Sequence, residues 1–209
     1  MNAITDMFPE AVVPKVDENR RYTTRTFMHF IKRVTGVEDH GFPFAFDLDP
    51  AADLESHHAG LWFCAPGDLV SAAAGAAVDG LAQSWLPAMD QDLARFLGAH
   101  RYVWRIFVNP PFDNIGPWLS KVWATIEQAR GLGIEVRIAF VMPGNRTEQP
   151  LWQDHVEPFL EGHERARWLG YKLVAHSPRT RQFYGHPGNV NPASGQAEWP
   201  SVVLVWRRE

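Results

Sequence analysis

Short apolar runs alternate along the chain with segments whose apolar residues are spaced as in a helix. The most apolar run, Val103-Trp104-Arg105-Ile106-Phe107-Val108, is too short for a helix and is rich in β-branched and aromatic residues. It therefore predicts a buried strand. Similar runs predict strands at residues 42–49, 60–64, 136–143, 171–175 and 201–206.

Helical spacing recurs in several of the intervening segments. Phe27, Phe30, Ile31 and Val34 predict a helix that ends at Gly36. A second helix should begin at Gly116-Pro117, bury one apolar stripe and end at the glycines 131 and 133. Shorter helical pieces are predicted in the alanine-rich segment 67–98 and around Val156, Phe159 and Leu160.

This alternation of strands and helices predicts an α/β sheet that is mostly parallel, with an antiparallel edge strand. A length of 209 residues fits one domain. We expect that domain to span residues 21–209, with a candidate insertion at 67–100. Residues 1–20 are polar and non-periodic, which predicts a flexible arm.

The formal net charge of −4 conceals a segregated pattern. Residues 38–100 contain ten acidic residues and one basic residue, whereas residues 165–209 contain seven basic residues and two acidic ones. A basic carboxyl-terminal segment suits a phosphate backbone, and an ordinary solvated surface explains it equally well. The candidate phosphate contacts are Arg146, Arg179 and Arg181.

Composition also bears on location. No apolar run approaches the roughly 18 residues of a membrane span, and the amino terminus lacks a basic segment followed by an apolar one. The lone Cys64 excludes an internal disulfide. We therefore expect a cytoplasmic protein without a signal peptide or a membrane partner.

The central strand runs directly into Asn109-Pro110-Pro111-Phe112. Because proline restricts the residue before it and cannot pair in a sheet, this is a stiff loop at the carboxyl end of a strand, where α/β sheets bind ligands. The Asn109 side-chain oxygen and the Pro110 carbonyl would form two fixed acceptors for the hydrogens of an exocyclic amine. Phe112 would stack on a base rotated out of the duplex.

These residues also carry a family resemblance. Asn109-Pro110-Pro111-Phe112 matches the (Asp/Asn/Ser)-Pro-Pro-(Tyr/Phe/Trp) motif of amino-methylating DNA methyltransferases. Over about residues 22–206 the chain resembles the phage-type DNA N-6-adenine methyltransferases. The further matching segments, in the family's order, are Phe46-Asp47-Leu48-Asp49-Pro50-Ala51-Ala52, Asp79-Gly80-Leu81, Trp85, Trp118, and Met142-Pro143 with Trp152.

The resemblance implies a Rossmann-like class I methyltransferase fold, a three-layer sandwich around a seven-stranded sheet with a reversed final strand. It implies transfer of a methyl group from S-adenosylmethionine to the N6 amino group of a flipped adenine in double-stranded DNA, without an obligate metal. The setting would be the cytoplasm of a bacterial host, with the protein encoded by the host or by a phage or prophage.

The resemblance also assigns roles to residues. Asn109, Pro110, Pro111 and Phe112 would form the catalytic loop. Two features depart from the family: the proline of its threonine-proline pair is missing after Thr23, and the glycine-rich turn of many methyltransferases is replaced by Pro50-Ala51-Ala52. The implied cofactor contacts are Thr23, Phe46, Asp47, Asp49, Pro50, Asp79 and Asn109.

Other functions fit the same loop. A cytosine N4 amine or a protein glutamine is also a planar target, although Ser is commoner than Asn at the first motif position of cytosine enzymes. A non-catalytic relative that binds nucleic acid would explain the missing glycine turn. For the histidines, including the pair His57-His58, we expect surface positions and no metal site, because their spacing fits no common one.

Overall fold

The computed structural model describes residues 22–37, 45–54, 57–88, 102–144, 148–160, 170–176, 184–185 and 201–208. The predicted arm at 1–20 and the candidate DNA contacts Arg146, Arg179 and Arg181 lie outside the described residues. Within the described part, no helix is long and apolar enough to cross a membrane.

The described residues form nine strands and four α-helices. The strands are β1 Tyr22–Thr23, β2 Phe46–Asp49, β3 Ala59–Cys64, β4 Ala77–Val78, β5 Val103–Val108, β6 Glu135–Pro143, β7 Tyr171–His176, β8 Tyr184–Gly185 and β9 Ser201–Arg208. The α-helices are α1 Arg25–Thr35, α2 Leu69–Ala73, α3 Ile115–Gly131 and α4 Pro150–His155, and a 3-10 helix follows at Glu157–Phe159.

Seven of these described strands form one sheet in the order β4-β3-β2-β5-β6-β9-β7. Strands β2 to β6 pair in parallel, whereas β9 is antiparallel to both β6 and β7. The prediction of a mostly parallel sheet with antiparallel pairing at one edge is confirmed. The reversed strand is β9, the last in the chain, and it lies one position in from the edge. The short strands β1 and β8 form a separate antiparallel pair.

The sheet separates two apolar clusters. On strand β5, Ile106 and Val108 belong to one cluster and Phe107 belongs to the other, because alternate side chains point to opposite faces. Helix α3 packs on the first face through Leu119, Val122 and Ile126, and α1 packs on the second through Phe27 and Ile31.

Helix α1 ends at Gly36 as predicted, and α3 begins one residue before the predicted Gly116 and ends at the predicted Gly131. In α1, Thr24 is the N-cap, and its hydroxyl accepts a hydrogen bond from the Phe27 amide. Gly36 ends the helix in the left-handed conformation, with φ of 62°. In α3, Pro117 lies in the first turn, and the last residue is Gly131.

The helix predicted around residues 156–160 is wrong in position. The α-helix there is α4, which ends at His155, and a single 3-10 turn follows. Pro158 lies in that turn, and proline cannot continue an α-helix because it has no backbone N–H to donate. In the alanine-rich segment the structure has one five-residue helix, α2, followed by the edge strand β4. Residues 89–98 of that segment lie outside the described residues.

Candidate active site

The strand order reverses between β2 and β5. From β2 the chain proceeds to β3 and β4 on one side, whereas β5 and β6 lie on the other. Such a reversal opens a crevice at the carboxyl ends of the two strands, which is the usual ligand site of an open α/β sheet. Strand β2 ends at Asp49, and β5 is followed at once by Asn109. These two predicted site residues therefore flank the crevice.

The loop after β5 is anchored at several points. Pro110 is buried and Pro111 is exposed. The half-buried ring of Phe112 packs against both apolar clusters, because the loop crosses the end of the sheet. The Asn114 amide donates a hydrogen bond to the Pro111 carbonyl oxygen at 3.4 Å, immediately before α3 begins. The loop is therefore held between the core and the start of α3.

Thr23 lies beside Asn109. The Asn109 Nδ2 atom donates a hydrogen bond to Thr23 Oγ1 at 3.2 Å. The Thr23 residue is 7% exposed and belongs to β1, where it pairs with Tyr184 of β8. The family resemblance implied that Thr23 contacts the cofactor, and nothing in the sequence indicated this contact with Asn109. A two-residue strand carries no periodic pattern, so no sequence signal was available for it.

Asp49 is a buried carboxyl group at the end of β2, 1% exposed. Its oxygens accept hydrogen bonds from the backbone amides of Ala51, at 3.4 Å, and His58, at 3.2 Å. Burial raises the pKa of Asp49 from 3.8 to about 7, and the nearby Asp53 charge adds to the rise, while the two amide hydrogen bonds oppose it. Asp49 therefore changes charge near neutral pH.

Asp47 faces β5 instead of the crevice. Its carboxylate accepts hydrogen bonds from the Tyr102 hydroxyl at 2.5 Å and from the Arg105 amide at 2.7 Å. Burial and this carboxylate raise the pKa of Tyr102 to about 12. These contacts give Asp47 a structural role in joining β2 to β5, so Asp49 is the better candidate for a cofactor contact. Sequence reasoning did not identify Tyr102 or Arg105.

Phe46 lies in the core. It is 2% exposed, and its ring centroid lies 5.5 Å from that of Phe107. In this structure its side chain packs in the apolar cluster on the α1 face of the sheet.

The loop after β4 packs on the end of β2. Asp79 has φ of 64°, and its Oδ1 accepts hydrogen bonds from the Leu81 and Ala82 amides at 3.1 and 3.3 Å. Gly80 lies against buried Pro50. Trp85 donates from Nε1 to the Gly80 carbonyl oxygen at 2.6 Å. The structure therefore brings together three segments that the resemblance singled out separately.

The histidine pair packs against aromatic rings. His57 stacks on Trp62 with ring centroids 4.8 Å apart, and the His58 and Phe107 rings are T-shaped with centroids 5.3 Å apart. Burial lowers the pKa of His58 to about 4, with smaller contributions from the His57 and Lys32 charges. Both imidazoles are half-buried, whereas surface positions were expected. In the described ranges, no group of three or more His, Cys, Asp or Glu residues lies close enough together to hold a metal ion.

Neither protein-family models nor curated proteins match this sequence. The functional interpretation therefore depends on the geometry of the crevice. That geometry combines a buried carboxyl group, Asp49, with an amide group, Asn109, that is held by a neighbouring hydroxyl. Carboxyl and amide oxygens accept hydrogen bonds, so the crevice suits a ligand that presents N–H or O–H donors.

Proposed function

We propose that the protein is a DNA methyltransferase that moves the methyl group of S-adenosylmethionine to the N6 amino group of a flipped adenine. The observation that carries this proposal is the position of the Asn109-Pro110 loop. It follows β5 directly at the reversal of strand order, next to the strand that ends in Asp49. A target amine held at this loop would lie beside a ligand bound at the end of β2.

The strand order supports the proposal. If β2 is counted as the first strand, the order from β4 to β6 is 3-2-1-4-5, as in doubly wound nucleotide-binding sheets. The final strand β9 is reversed, as the resemblance to class I methyltransferases implies. The 3-2-1-4-5 order by itself occurs in many enzymes, so the loop chemistry decides among them.

The residues around the crevice fit the proposed cofactor. The buried Asp49 carboxyl group would accept hydrogen bonds from the methionine ammonium or from ribose hydroxyls. A positive ammonium group would also offset the cost of ionising a buried acid. Pro50 and the turn at Asp79-Gly80 would form the adjoining wall, because Gly80 packs on Pro50. When bound, S-adenosylmethionine would supply an electrophilic methyl group.

In this proposal the loop holds the target amine. The Asn109 side-chain oxygen and the Pro110 carbonyl would accept its two hydrogens and direct the nitrogen lone pair out of conjugation with the ring. Phe112 would stack on the base, and the loop would position the nitrogen for an in-line displacement. A strong general base is not needed before attack, because the extra proton can leave the nitrogen afterwards.

Labelled methyl transfer tests the proposal. The protein is incubated with methyl-labelled S-adenosylmethionine and unmethylated duplex DNA, and the DNA is digested to nucleosides. The proposal predicts label in N6-methyladenine. Label in N4-methylcytosine, or in the glutamines of a protein mixture assayed in parallel, would identify one of the other planar targets. If no labelled methyl group is incorporated and calorimetry detects no S-adenosylmethionine binding, the protein is a binding protein without catalytic activity.

A further inference from the structure

We propose that a basic track on the α1 face of the sheet binds the phosphate backbone of duplex DNA to one side of the target adenine. This inference rests on the proposed function and adds a DNA-binding surface to it. The track starts beside the crevice, follows α1 and ends on a row of cations that crosses four strands. Its described members are Lys32, Arg33, Arg105, Arg137, Lys172 and Arg207.

The row of cations follows from the pairing of the strands. Arg105 of β5 lies directly opposite Arg137 of β6. Lys172 of β7 lies directly opposite Arg207 of β9. The antiparallel ladder of β6 and β9 places Arg137 and Arg207 at neighbouring positions as well. Because adjacent strands lie about 4.8 Å apart, the four basic residues line up over about 14 Å.

All four side chains of the row point to the face on which α1 packs. In each strand the next residue belongs to the apolar cluster of the α3 face, and alternate residues point to opposite faces. These neighbours are Ile106, Ile138, Leu173 and Trp206. Arg137 joins the row to α1, because its guanidinium donates to the Thr35 and Gly36 carbonyl oxygens at the end of that helix.

Helix α1 connects this row to the crevice. It begins two residues after Thr23, whose side chain contacts Asn109, and it ends beside Arg137. The helix contains no acidic residue, and its last turn contains Lys32 and Arg33. Its 11 residues span about 16 Å, which is the length of about five base pairs of duplex. A duplex whose target base enters the crevice can therefore lie along α1 and reach the row.

The cations of the track outnumber the carboxylates that they meet among the described side chains. Asp47 and Glu135 lie 4.0 and 3.9 Å from the guanidinium groups of Arg105 and Arg137. Six cations against these two carboxylates leave a local excess of four positive charges, although the whole chain has a net charge of −4. Like charges directly opposite each other destabilise a sheet, so folding alone does not favour this row. The phosphate backbone of DNA supplies the balancing charge.

Equilibrium DNA binding tests the track independently of catalysis. The double variant Arg33→Gln with Arg207→Gln removes two exposed cations of the track. Its affinity for a duplex of about 20 base pairs should fall about tenfold or more at about 0.1 M salt. The slope of log affinity against log salt concentration should become shallower by about two, because two phosphate contacts are lost. Affinity and slope equal to those of wild type would overturn the proposal.

A matched control removes the same charge from the other face. Arg130 belongs to α3, and Arg208 follows Arg207 on β9, so the Arg208 side chain points to the α3 face. Both are exposed, as Arg33 and Arg207 are. Arg130→Gln with Arg208→Gln should keep the affinity within about twofold of wild type. Equal losses in the two double variants would overturn the proposal, because net charge alone would then control binding.

Methylation kinetics test whether the track acts together with the crevice. At saturating S-adenosylmethionine, Arg33→Gln with Arg207→Gln should raise the KM for duplex DNA about tenfold and leave kcat within about twofold, because the track does not touch the reacting atoms. Two further duplexes extend about ten base pairs on only the 5′ or only the 3′ side of a methylated adenine. The wild type should prefer one of them, and the double variant should lose that preference. Equal use of both by the wild type would overturn the one-sided placement of the track.

The two kinds of measurement distinguish failure of the track from failure of the proposed function. If the wild type methylates no DNA but the two double variants differ in DNA binding as expected, the proposed function fails and the track stands. If the wild type methylates adenine and Arg33→Gln with Arg207→Gln binds and methylates DNA as the wild type does, the track fails and the proposed function stands. Urea unfolding midpoints near that of wild type establish that both double variants are folded.

Discussion

Gly80 packs directly against the backbone of Pro50. A Cβ atom placed on Gly80 would lie 1.9 Å from the Pro50 carbonyl oxygen, far inside van der Waals contact. Glycine is therefore required here, because it lets the turn after β4 touch the end of β2. The sequence has Pro50-Ala51-Ala52 after β2 in place of the glycine-rich turn of many methyltransferases, and Gly80 on a neighbouring loop permits a comparably close approach of two backbones.

Gly80→Ala should destabilise the protein by about 2 kcal/mol, because the obstacle is backbone and cannot rotate away. It should also weaken cofactor binding, since Pro50 would be displaced. Gly131→Ala is the control: its added Cβ meets nothing within 4 Å, and stability should stay within about 1 kcal/mol of wild type. Urea unfolding and calorimetry measure both effects. A stable Gly80→Ala variant with normal affinity would show that the two loops are not tightly packed.

The two carboxylates of β2 should differ in their effects. Both oxygens of Asp47 accept hydrogen bonds, so the amide nitrogen of Asp47→Asn would face either the Arg105 amide or the Tyr102 hydroxyl, which are both donors. We therefore expect a loss of about 1–3 kcal/mol in the free energy of unfolding. Its S-adenosylmethionine affinity should change little. Asp49→Asn should instead lower that affinity by about tenfold or more. If calorimetry finds the reverse pattern, Asp47 is the cofactor contact.

The pKa of Asp49 leads to a pH dependence of stability. The pKa is about 7 in the folded protein against an ordinary value of 3.8, so the folded state holds this proton more tightly than the unfolded state. The contribution of Asp49 is therefore most favourable below about pH 4 and is lost as the pH rises through 7. Asparagine carries no charge at any pH, so Asp49→Asn should have a higher free energy of unfolding relative to wild type at pH 8 than at pH 4. If the stability of the two proteins changes with pH in the same way, the raised pKa of Asp49 is contradicted.

The same ionisation should control cofactor binding. An ammonium group is attracted to the ionised form of Asp49, so affinity for S-adenosylmethionine should increase between about pH 6 and pH 8. His58, whose backbone contacts Asp49, has a pKa of about 4 and stays neutral over this range. Calorimetry at several pH values measures the effect, with Asp49→Asn as the control that should respond much less. A flat wild-type profile would mean that Asp49 does not meet a positive group.

Arg137 should stabilise the carboxyl end of α1. Its guanidinium donates to the carbonyl oxygens of Thr35 and Gly36 at 3.1 and 3.3 Å, where the helix dipole is negative. Arg137→Met should therefore cost about 1–2 kcal/mol. Glu135→Gln, which removes only an ion pair of 3.9 Å, should cost much less. Equal losses in urea unfolding would assign the effect to the ion pair.

Much of the sheet could be predicted from the sequence. Strands β5, β6 and β9 each contain a continuous apolar run that is buried on both faces, at residues 106–108, 138–143 and 202–206, and this composition is distinctive. The Asn109 loop could also be predicted, because two prolines end the strand at the carboxyl edge of the sheet. The position of the reversed strand β9 depends on pairing between distant segments, which local composition does not encode.

The finer features of the site could not be predicted. Asp47 and Asp49 are both acidic residues of one short strand, and only the folded structure shows that the first is bound by Tyr102 and Arg105. The contact between Thr23 and Asn109 joins residues 86 positions apart. Hydrogen bonds at such separations follow from the packing of α1 and the strand order.

The most direct test of the proposed mechanism is the formation of N6-methyladenine by wild-type protein and by Asn109→Ala at saturating S-adenosylmethionine. Calorimetry on the same samples establishes that both proteins bind the cofactor. We expect N6-methyladenine from the wild type and none detectable from Asn109→Ala, because one of the two acceptors for the target amine is gone. If Asn109→Ala forms N6-methyladenine at the wild-type rate, the loop after β5 does not hold the target amine.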